Sequence, residues 1–424
     1  MNVDVIVLGM GPGGEDVAGR LAEAGLSVAG VEGNLVGGEC PYWGCIPSKI
    51  MIREAETSRD WATLVRRVRE ATDAWDDKVA ADRFTGKGGH LVRGHGRITG
   101  PGEVMVGSQV LRASKGIVVA SGSAPSVPPI DGLAGTPYWT NHEAIENEQL
   151  PESIIVLGGG AIGVELAQMF AGFGSRVSVI EGADRLIALE EPEASAVIEK
   201  AFADHGIQVL TGAKVARVDY DGNFTINGVT AERLLVATGR RVDLGALGVG
   251  AVGLDESARS IPVDEHMRAA EGVWALGDVV GKGAFTHMSM YHANIVVKEI
   301  LGEPVHPAEY HAVPRVTFTD PEVGSVGLTE AQAREQGLDV RAATGDLGTR
   351  GWIARSAGLV KLVAADGVLV GATCVAPPGG EVLSMLTLAV HARIPLQRLD
   401  DMIYAYPTFH RAVQPVIREL IAAG

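Results

Sequence analysis

The sequence predicts an α/β chain in which two strand–turn–helix–strand units of one design precede a segment of another kind. Three observations carry this. Asp4 to Leu8 reads as a buried strand, followed by Gly9-Met10-Gly11-Pro12-Gly13-Gly14, a helical stretch to Ala24, and a second strand, Ser27 to Val31, ending at Glu32. The pattern returns with the strand Ser153 to Leu157, the turn Gly158-Gly159-Gly160-Ala161-Ile162-Gly163, the helix Val164 to Phe170, and the strand Arg176 to Ile180 ending at Glu181. The interval from first glycine to acid is 23 residues in both. From Tyr310 onward, alternating strands and helices run on without such a turn.

Each turn has the G-x-G-x-x-G spacing. Its glycines allow a tight turn and close approach of the backbone to a pyrophosphate. The amides at the start of the following helix hold phosphate, and the acid at the tip of the second strand accepts hydrogen bonds from a ribose. Two units in one internal register imply two dinucleotide sites. One dinucleotide can be a flavin and the other a nicotinamide.

Composition narrows the partners. A chain of 424 residues has room for about two to four domains with ample core. Its 36 Lys and Arg against 52 Asp and Glu leave a net charge of −16, which speaks against nucleic acid or an anionic membrane as partner. No run approaches the roughly 20 apolar residues of a membrane span. The first strand starts almost at once, so no leader peptide is expected. Three cysteines fit a reducing, cytoplasmic setting with one redox-active pair.

Between the two units, Glu54 to Ala81 alternates charged and apolar residues at helical spacing and predicts one long amphipathic helix. Gly94 to Ala120 predicts short strands in a meander, leaving through Ser121-Gly122-Ser123-Ala124-Pro125. A sister segment, Leu234 to Arg241, closes the second unit around Gly239. Val273 to Asp278 is a strand ending in Gly-Asp, and Thr286-His287 then opens a helix, Met288 to Leu301. The positive end of that helix favours negative charge. Cys374 lies in the apolar strand Leu369 to Val375 and reads as core.

The other two cysteines lie in Gly37-Gly38-Glu39-Cys40-Pro41-Tyr42-Trp43-Gly44-Cys45-Ile46-Pro47-Ser48-Lys49. Helix neighbours three and four apart approach to about 5–6 Å between Cβ atoms. A disulfide needs about 3.5–4.5 Å. Closing Cys40 onto Cys45 therefore requires a distorted turn, which Pro41 and Gly44 permit. A strained disulfide is readily reduced and suits catalysis. Lys49 stands four residues after Cys45, where its cation favours a thiolate. By themselves these residues would also serve as two buried thiols.

With the fingerprint ahead of it, Cys-x4-Cys-Ile-Pro-Ser-Lys after a Gly-Gly turn resembles the flavin-dependent pyridine nucleotide–disulfide oxidoreductases. Lipoamide dehydrogenase, glutathione reductase and mercuric reductase belong to that family. The resemblance covers nearly the whole chain. It implies an α/β fold with two Rossmann-like dinucleotide-binding domains of glutathione-reductase type and a C-terminal α+β dimerisation domain. The implied segments are 1–149 and 273–308 for FAD, 150–272 for NAD(P), and 309–424 for a dimer interface that places residues of one subunit over the flavin of the other.

The same resemblance implies the site residues. FAD is expected at Gly9, Gly11, Gly14, Glu32, Gly38, Lys49, Ser121, Gly122, Asp278 and Thr286. NAD(P) is expected at Gly158, Gly160, Gly163, Glu181 and Gly239. No resident metal is expected. Cys45 would be the flavin-proximal thiol and Cys40 the interchange thiol facing a small-molecule acceptor, with Lys49 paired to Glu165. Glu181 would favour NADH, because a carboxylate accepts from a ribose 2′-OH and repels a 2′-phosphate. Arg185, nearby in sequence, carries the opposing charge. Tyr406–Pro407 is expected to be cis.

One stretch departs from the pattern. Where the disulfide reductases carry His-Pro followed by Glu, this chain reads Tyr404-Ala405-Tyr406-Pro407-Thr408-Phe409-His410-Arg411. Tyr406 takes the His position and Arg411 the Glu position. A phenol, with a reference pKa of about 10, is a poor base at neutral pH. His410, on the first turn of a helix expected from about Pro407 to Leu420, is the alternative acid–base group. Mercuric reductases also have Tyr here but add a C-terminal cysteine pair, and the transhydrogenases that share Tyr-Pro-Thr lack the redox cysteines.

The reading is a homodimeric FAD-dependent NAD(P)H oxidoreductase. It passes electrons through the flavin to a Cys40–Cys45 disulfide and on to a small disulfide or other acceptor. A flavin-only diaphorase, quinone reductase or transhydrogenase, a mercuric-type metal reductase, and a non-enzymatic redox-sensing module are the alternatives.

Overall fold

A computed structural model describes residues 1–423. The described chain forms two compact units: residues 1–50, 65–126 and 240–309 make the first, and residues 51–64, 127–239 and 310–423 the second.

The first unit is built on a sheet whose main path runs Arg268–Ala270, Val273–Ala275, Gln109–Val119, Asn2–Leu8, Val28–Glu32, His90–Arg93. A hairpin, Gly96–Gly100 and Glu103–Val106, leans on the long strand Gln109–Val119. The four strands at the centre are parallel, and the stretches where they pair, residues 5–8, 28–31, 117–119 and 273–275, are apolar and all buried but Trp274, as strands covered on both faces must be. Their register aligns Leu8 with Val31 and Val119, and Val119 with Ala275. The carboxyl ends therefore open at one rim, where Gly9, Glu32, Ser121 and Asp278 emerge. Open α/β sheets bind ligands at such a rim.

In the second unit, the parallel sheet Gln208–Leu210, Arg176–Ile180, Ser153–Leu157, Arg233–Val236 repeats this arrangement, with Leu157 level with Ile180 and Val236. The same unit holds an antiparallel five-stranded sheet, ordered Pro314–Thr317, Glu322–Gly327, Val368–Ala376, Leu359–Ala365, Arg341–Asp346. The helices Gly379–His391 and Val413–Ala422 share its core with Leu362, Cys374, Leu386 and Ile417. Cys374 is buried as core, as its strand predicts.

The two glycine turns share one internal constraint. A Cβ on Gly14 would strike the carbonyl oxygen of Gly9, and one on Gly163 would strike that of Gly158. The first turn of each helix, Pro12–Glu23 and Ala161–Gly172, folds back on the first glycine that closely.

Two sequence expectations need correction. The long helix over Glu54 to Ala81 is broken into Cys45–Glu56, Trp61–Ala71, a 3-10 turn at Asp73–Trp75, and Lys78–Gly86. Arg59 at φ 51° turns the chain, and Asp60 Oδ2 accepts the Thr63 amide at 3.1 Å to start the next helix. Helical periodicity survives such a break because each piece keeps its own apolar face. The C-terminal helix starts later than expected: His410–Ala412 is a 3-10 turn and the α-helix is Val413–Ala422. The chain passes between the two compact units at 126/127 and again at 239/240. Trp139 bridges Leu235, which ties it to the second unit. Arg240–Arg241 pairs with Ala124–Pro125, which returns the chain to the first.

Candidate active site

The cysteine segment folds as two helices, Glu39–Tyr42 and Cys45–Glu56, broken at Trp43-Gly44. The break closes the gap that a regular helix would leave. Gly44 makes it possible, since a Cβ there would press on the Glu39 carbonyl oxygen at 3.1 Å and the Cys40 Cα at 3.3 Å. Cys40 and Cys45 stand as two thiols whose sulfurs hydrogen-bond each other.

The proton is shared unequally. Cys45 is brought down to about 6 from 9.0, chiefly by the hydrogen bond from Cys40, then by the Thr286 hydroxyl and the Lys49 charge, which together outweigh its partial burial. Its Sγ lies 3.3 Å from Thr286 Oγ1. Cys40 moves far in the other direction, because it is the donor and is itself partly buried. At neutral pH the pair is one thiolate, Cys45, facing one thiol, Cys40.

The rim of the same unit assembles the remaining first-unit residues. The helix Pro12–Glu23 starts at Gly11 with no side-chain cap, which leaves its first amides for a ligand. Glu32 is fixed beside them, accepting the Met10 amide at 2.7 Å and the Asn34 amide at 2.8 Å. Gly38, at φ 67°, packs its backbone against Gly11. Asp278 accepts the Ser123 hydroxyl at 2.5 Å, one residue beyond the Ser121-Gly122 turn. The helix Thr286–Leu301 likewise begins without a side-chain cap, at the residue that touches Cys45. Uncapped amides, an anchored acid and a backbone cradle suit the pyrophosphate and ribose of a dinucleotide.

In the second unit, Glu181 takes the place of Glu32. Its carboxylate accepts the Gly159 amide at 2.5 Å and the Ala183 amide at 2.6 Å. Space is open around the Cα atoms of Gly160 and Gly239. Arg185 turns away from this turn: it donates to the Ala188 carbonyl at 2.7 Å, the Glu190 carbonyl at 2.9 Å and Ser195 Oγ at 2.9 Å. Glu165 accepts the Phe318 amide at 2.8 Å, while in the first unit Lys49 donates to Ser48 Oγ at 3.3 Å.

Tyr406 and His410, offered as alternatives, have separate neighbours. Tyr406 is 69% exposed, precedes Pro407 through a cis bond, and donates to Thr349 Oγ1 at 3.3 Å. His410 faces a groove with Glu381, Met385, Met402 and Phe409, its ring 6.0 Å from Tyr404 and its Nε2 3.5 Å from Thr408 Oγ1. Arg411 is turned to Gln414 and the Tyr404 ring. Thr349 and Ser123 escaped the sequence reading, because both are reached through the fold from distant segments.

Fold and site together define a flavin- and nicotinamide-dependent oxidoreductase with a dithiol. Residues 3–293 match the family described as pyridine nucleotide-disulphide oxidoreductase, and residues 313–417 match that family's dimerisation domain. The chain belongs to this family, which is FAD-dependent and uses a pyridine nucleotide. Among its relatives are a mercuric reductase of Streptomyces lividans, 35% identical over 97% of this chain and 94% of the relative, and a dihydrolipoyl dehydrogenase of Rhizobium etli, 29% identical over 98% and 97%. Among solved structures, the Cu(II) complex of the HOCl-induced flavoprotein disulfide reductase RclA from Escherichia coli superposes with a TM-score of 0.90 at 25% identity, covering 99% of each chain. Among the described residues, no helix is long and apolar enough to cross a membrane.

Proposed function

We propose that this chain is a cytoplasmic homodimer that reduces a small-molecule acceptor through Cys40 and Cys45, with NADH as the preferred donor. The observation that carries the reading is the unequal dithiol, with Cys45 ionised near pH 6 and Cys40 held protonated. When bound, FAD supplies two-electron exchange between a nicotinamide and the sulfurs. The uncapped amides after Gly11 would hold its pyrophosphate, Glu32 a ribose, and Asp278 the polar chain, with Gly38, Ser121, Gly122 and Thr286 in the walls. Thr286 and Lys49 stabilise the Cys45 thiolate. Cys40 passes its proton to Cys45 and attacks a disulfide acceptor, whose S–S bond breaks and whose leaving sulfur takes that proton. The Cys45 thiolate then closes on Cys40 and expels the second sulfur.

The acceptor test is an anaerobic screen of small disulfides, metal ions and quinones against wild type and Cys40→Ser. Loss of turnover with the best acceptor is expected in the variant. Full retention would move the reaction to the flavin alone. A metal ion is the second reading, because no histidine stands at position 406 to serve the interchange thiol and Tyr406 presents only a phenol. On that reading Tyr406→Phe and His410→Gln each change kcat by less than about tenfold. A loss of about a hundredfold in His410→Gln alone would restore it as the base.

The donor preference rests on Glu181 and on Arg185 being engaged elsewhere. Comparison of kcat/KM should favour NADH by about tenfold or more, the worth of a 2′-OH hydrogen bond and a repelled phosphate. Glu181→Ala should erase most of that ratio, and an NADPH preference in wild type would overturn the assignment.

A further inference from the structure

Arg240 joins three segments of the first unit. Its Nε donates to Ser123 Oγ at 2.8 Å and its NH2 group to the Ser123 carbonyl at 2.5 Å. The same NH2 group lies 3.3 Å from Glu39 Oε2, and Nε lies 3.9 Å from Asp278 Oδ2. Ser123 Oγ in turn donates to Asp278. The backbone of Arg240 pairs with Pro125, so its side chain enters this cluster from a fixed strand, and it is only 18% exposed. One guanidinium thus meets the residue before Cys40, the turn after the long central strand, and the aspartate at the rim.

We propose that Arg240 is a positioning residue that ties the Asp278 wall of the flavin pocket to the reactivity of Cys40. The proposal rests on the reading that Asp278 faces FAD and Cys40 faces the acceptor. Glu39 is bonded through the backbone to Cys40, and an uncancelled carboxylate there would oppose a Cys40 thiolate. Arg240 cancels that charge. Its other donors hold Ser123, and through Ser123 they fix the direction of the Asp278 carboxylate. A lysine could supply the charge but not the fork that spans Ser123 and Glu39 at once.

Two readouts separate this from a merely structural role, and neither needs an acceptor. FAD affinity of the apoprotein is measured by flavin fluorescence, and Cys40 alkylation by iodoacetamide is measured in a Cys45→Ala background. Arg240→Met should weaken FAD binding about tenfold, the worth of a charge-assisted hydrogen bond. It should also slow Cys40 alkylation about fivefold at pH 8, as an exposed like charge does. Adding Glu39→Gln should restore alkylation and leave FAD binding weak. Arg240→Lys should keep the alkylation rate and lose FAD affinity. If both losses persist with Glu39→Gln, or both vanish once thermal stability is matched, the proposal is overturned. Should Arg240→Met fail to fold, Glu39→Gln alone in the Cys45→Ala chain should speed alkylation, and an unchanged rate overturns the electrostatic half. Should Asp278→Ala bind FAD like wild type, the assignment of Asp278 fails independently of Arg240.

Discussion

Replacing Cys40 with alanine should raise the pH at which Cys45 is half-ionised by about one unit or more, because it removes the largest single support of the thiolate. In wild type, alkylation of Cys45 should climb with pH through a midpoint of about 6 and level off near neutrality. The sign follows from the direction of the shift: below the midpoint Cys45 is a thiol and unreactive, above it a thiolate. In Cys40→Ala the Thr286 hydroxyl and Lys49 still favour the thiolate while partial burial opposes it, so the midpoint should lie well above that of wild type. Near pH 6.5 the variant should react several-fold more slowly. Peptide mapping after timed iodoacetamide treatment reads this directly, since Cys374 is fully buried. An unmoved midpoint would mean that the two sulfurs do not share a proton, and the unequal dithiol would lose its cause.

Lys361→Met should cost a large share of stability. Lys361 is 4% exposed, on the strand Leu359–Ala365. It meets Glu191 at 3.0 Å, Glu193 at 2.8 Å and Glu330 at 3.0 Å. Three carboxylates converge on one ammonium, whose charge they hold well above its usual range against the cost of burial. Removing the cation leaves Glu191, itself 2% exposed, as an unpaired buried charge. Breaking such a cluster costs about 3–5 kcal/mol, or a fall of roughly 10 °C in Tm for a body of this size. Lys361→Met with Glu191→Gln should recover part of the loss. A drop below about 1 kcal/mol would show that water screens the cluster as it does a surface pair. The pH dependence has a fixed sign. Glu330 is held below 4.5, first by Arg334 and then by Lys361, so its contribution is present above that value and is lost as pH falls through the lowered one. In Lys361→Met the lysine's share of that acid sensitivity should disappear.

The sequence revealed local grammar and missed distant pairings. Both strand–turn–helix–strand units were legible to within three residues, since a buried parallel strand writes an apolar run and a phosphate turn writes glycines. The dithiol was legible because Cys40, Gly44, Cys45 and Lys49 lie within ten residues and the distortion they require is local. The break at Arg59-Asp60 was hidden, because periodicity alone cannot tell one long helix from two short ones in phase. Arg240 was hidden for another reason. It sits 117 residues from Ser123 in sequence, and nothing in Gly239-Arg240-Arg241 signals that its side chain ends beside Glu39. Lys361 was invisible likewise, an ordinary lysine until the sheet brings three glutamates around it. His410 shows the opposite case, a residue whose chemistry drew attention and whose place beside Tyr404 and Thr408 does not aim it with Tyr406.

The collision built into the two glycine turns bears on what a substitution scan of this protein would report. At Gly14 and Gly163 even a methyl group meets a carbonyl oxygen of the chain's own backbone. Alanine should fail there much as tryptophan does, with no gradation by size or polarity. Intolerance at those two columns therefore measures how the loop closes on itself, and it carries no information about which nucleotide lies above. The position that does report on the ligand should be Gly160, where an added side chain meets open space. Gly239 also faces open space, but its φ of 114° strains any side chain. At Gly160 small residues should pass, large ones should be rejected only when the nucleotide competes for the volume, and the pattern of rejection should change with the nucleotide supplied.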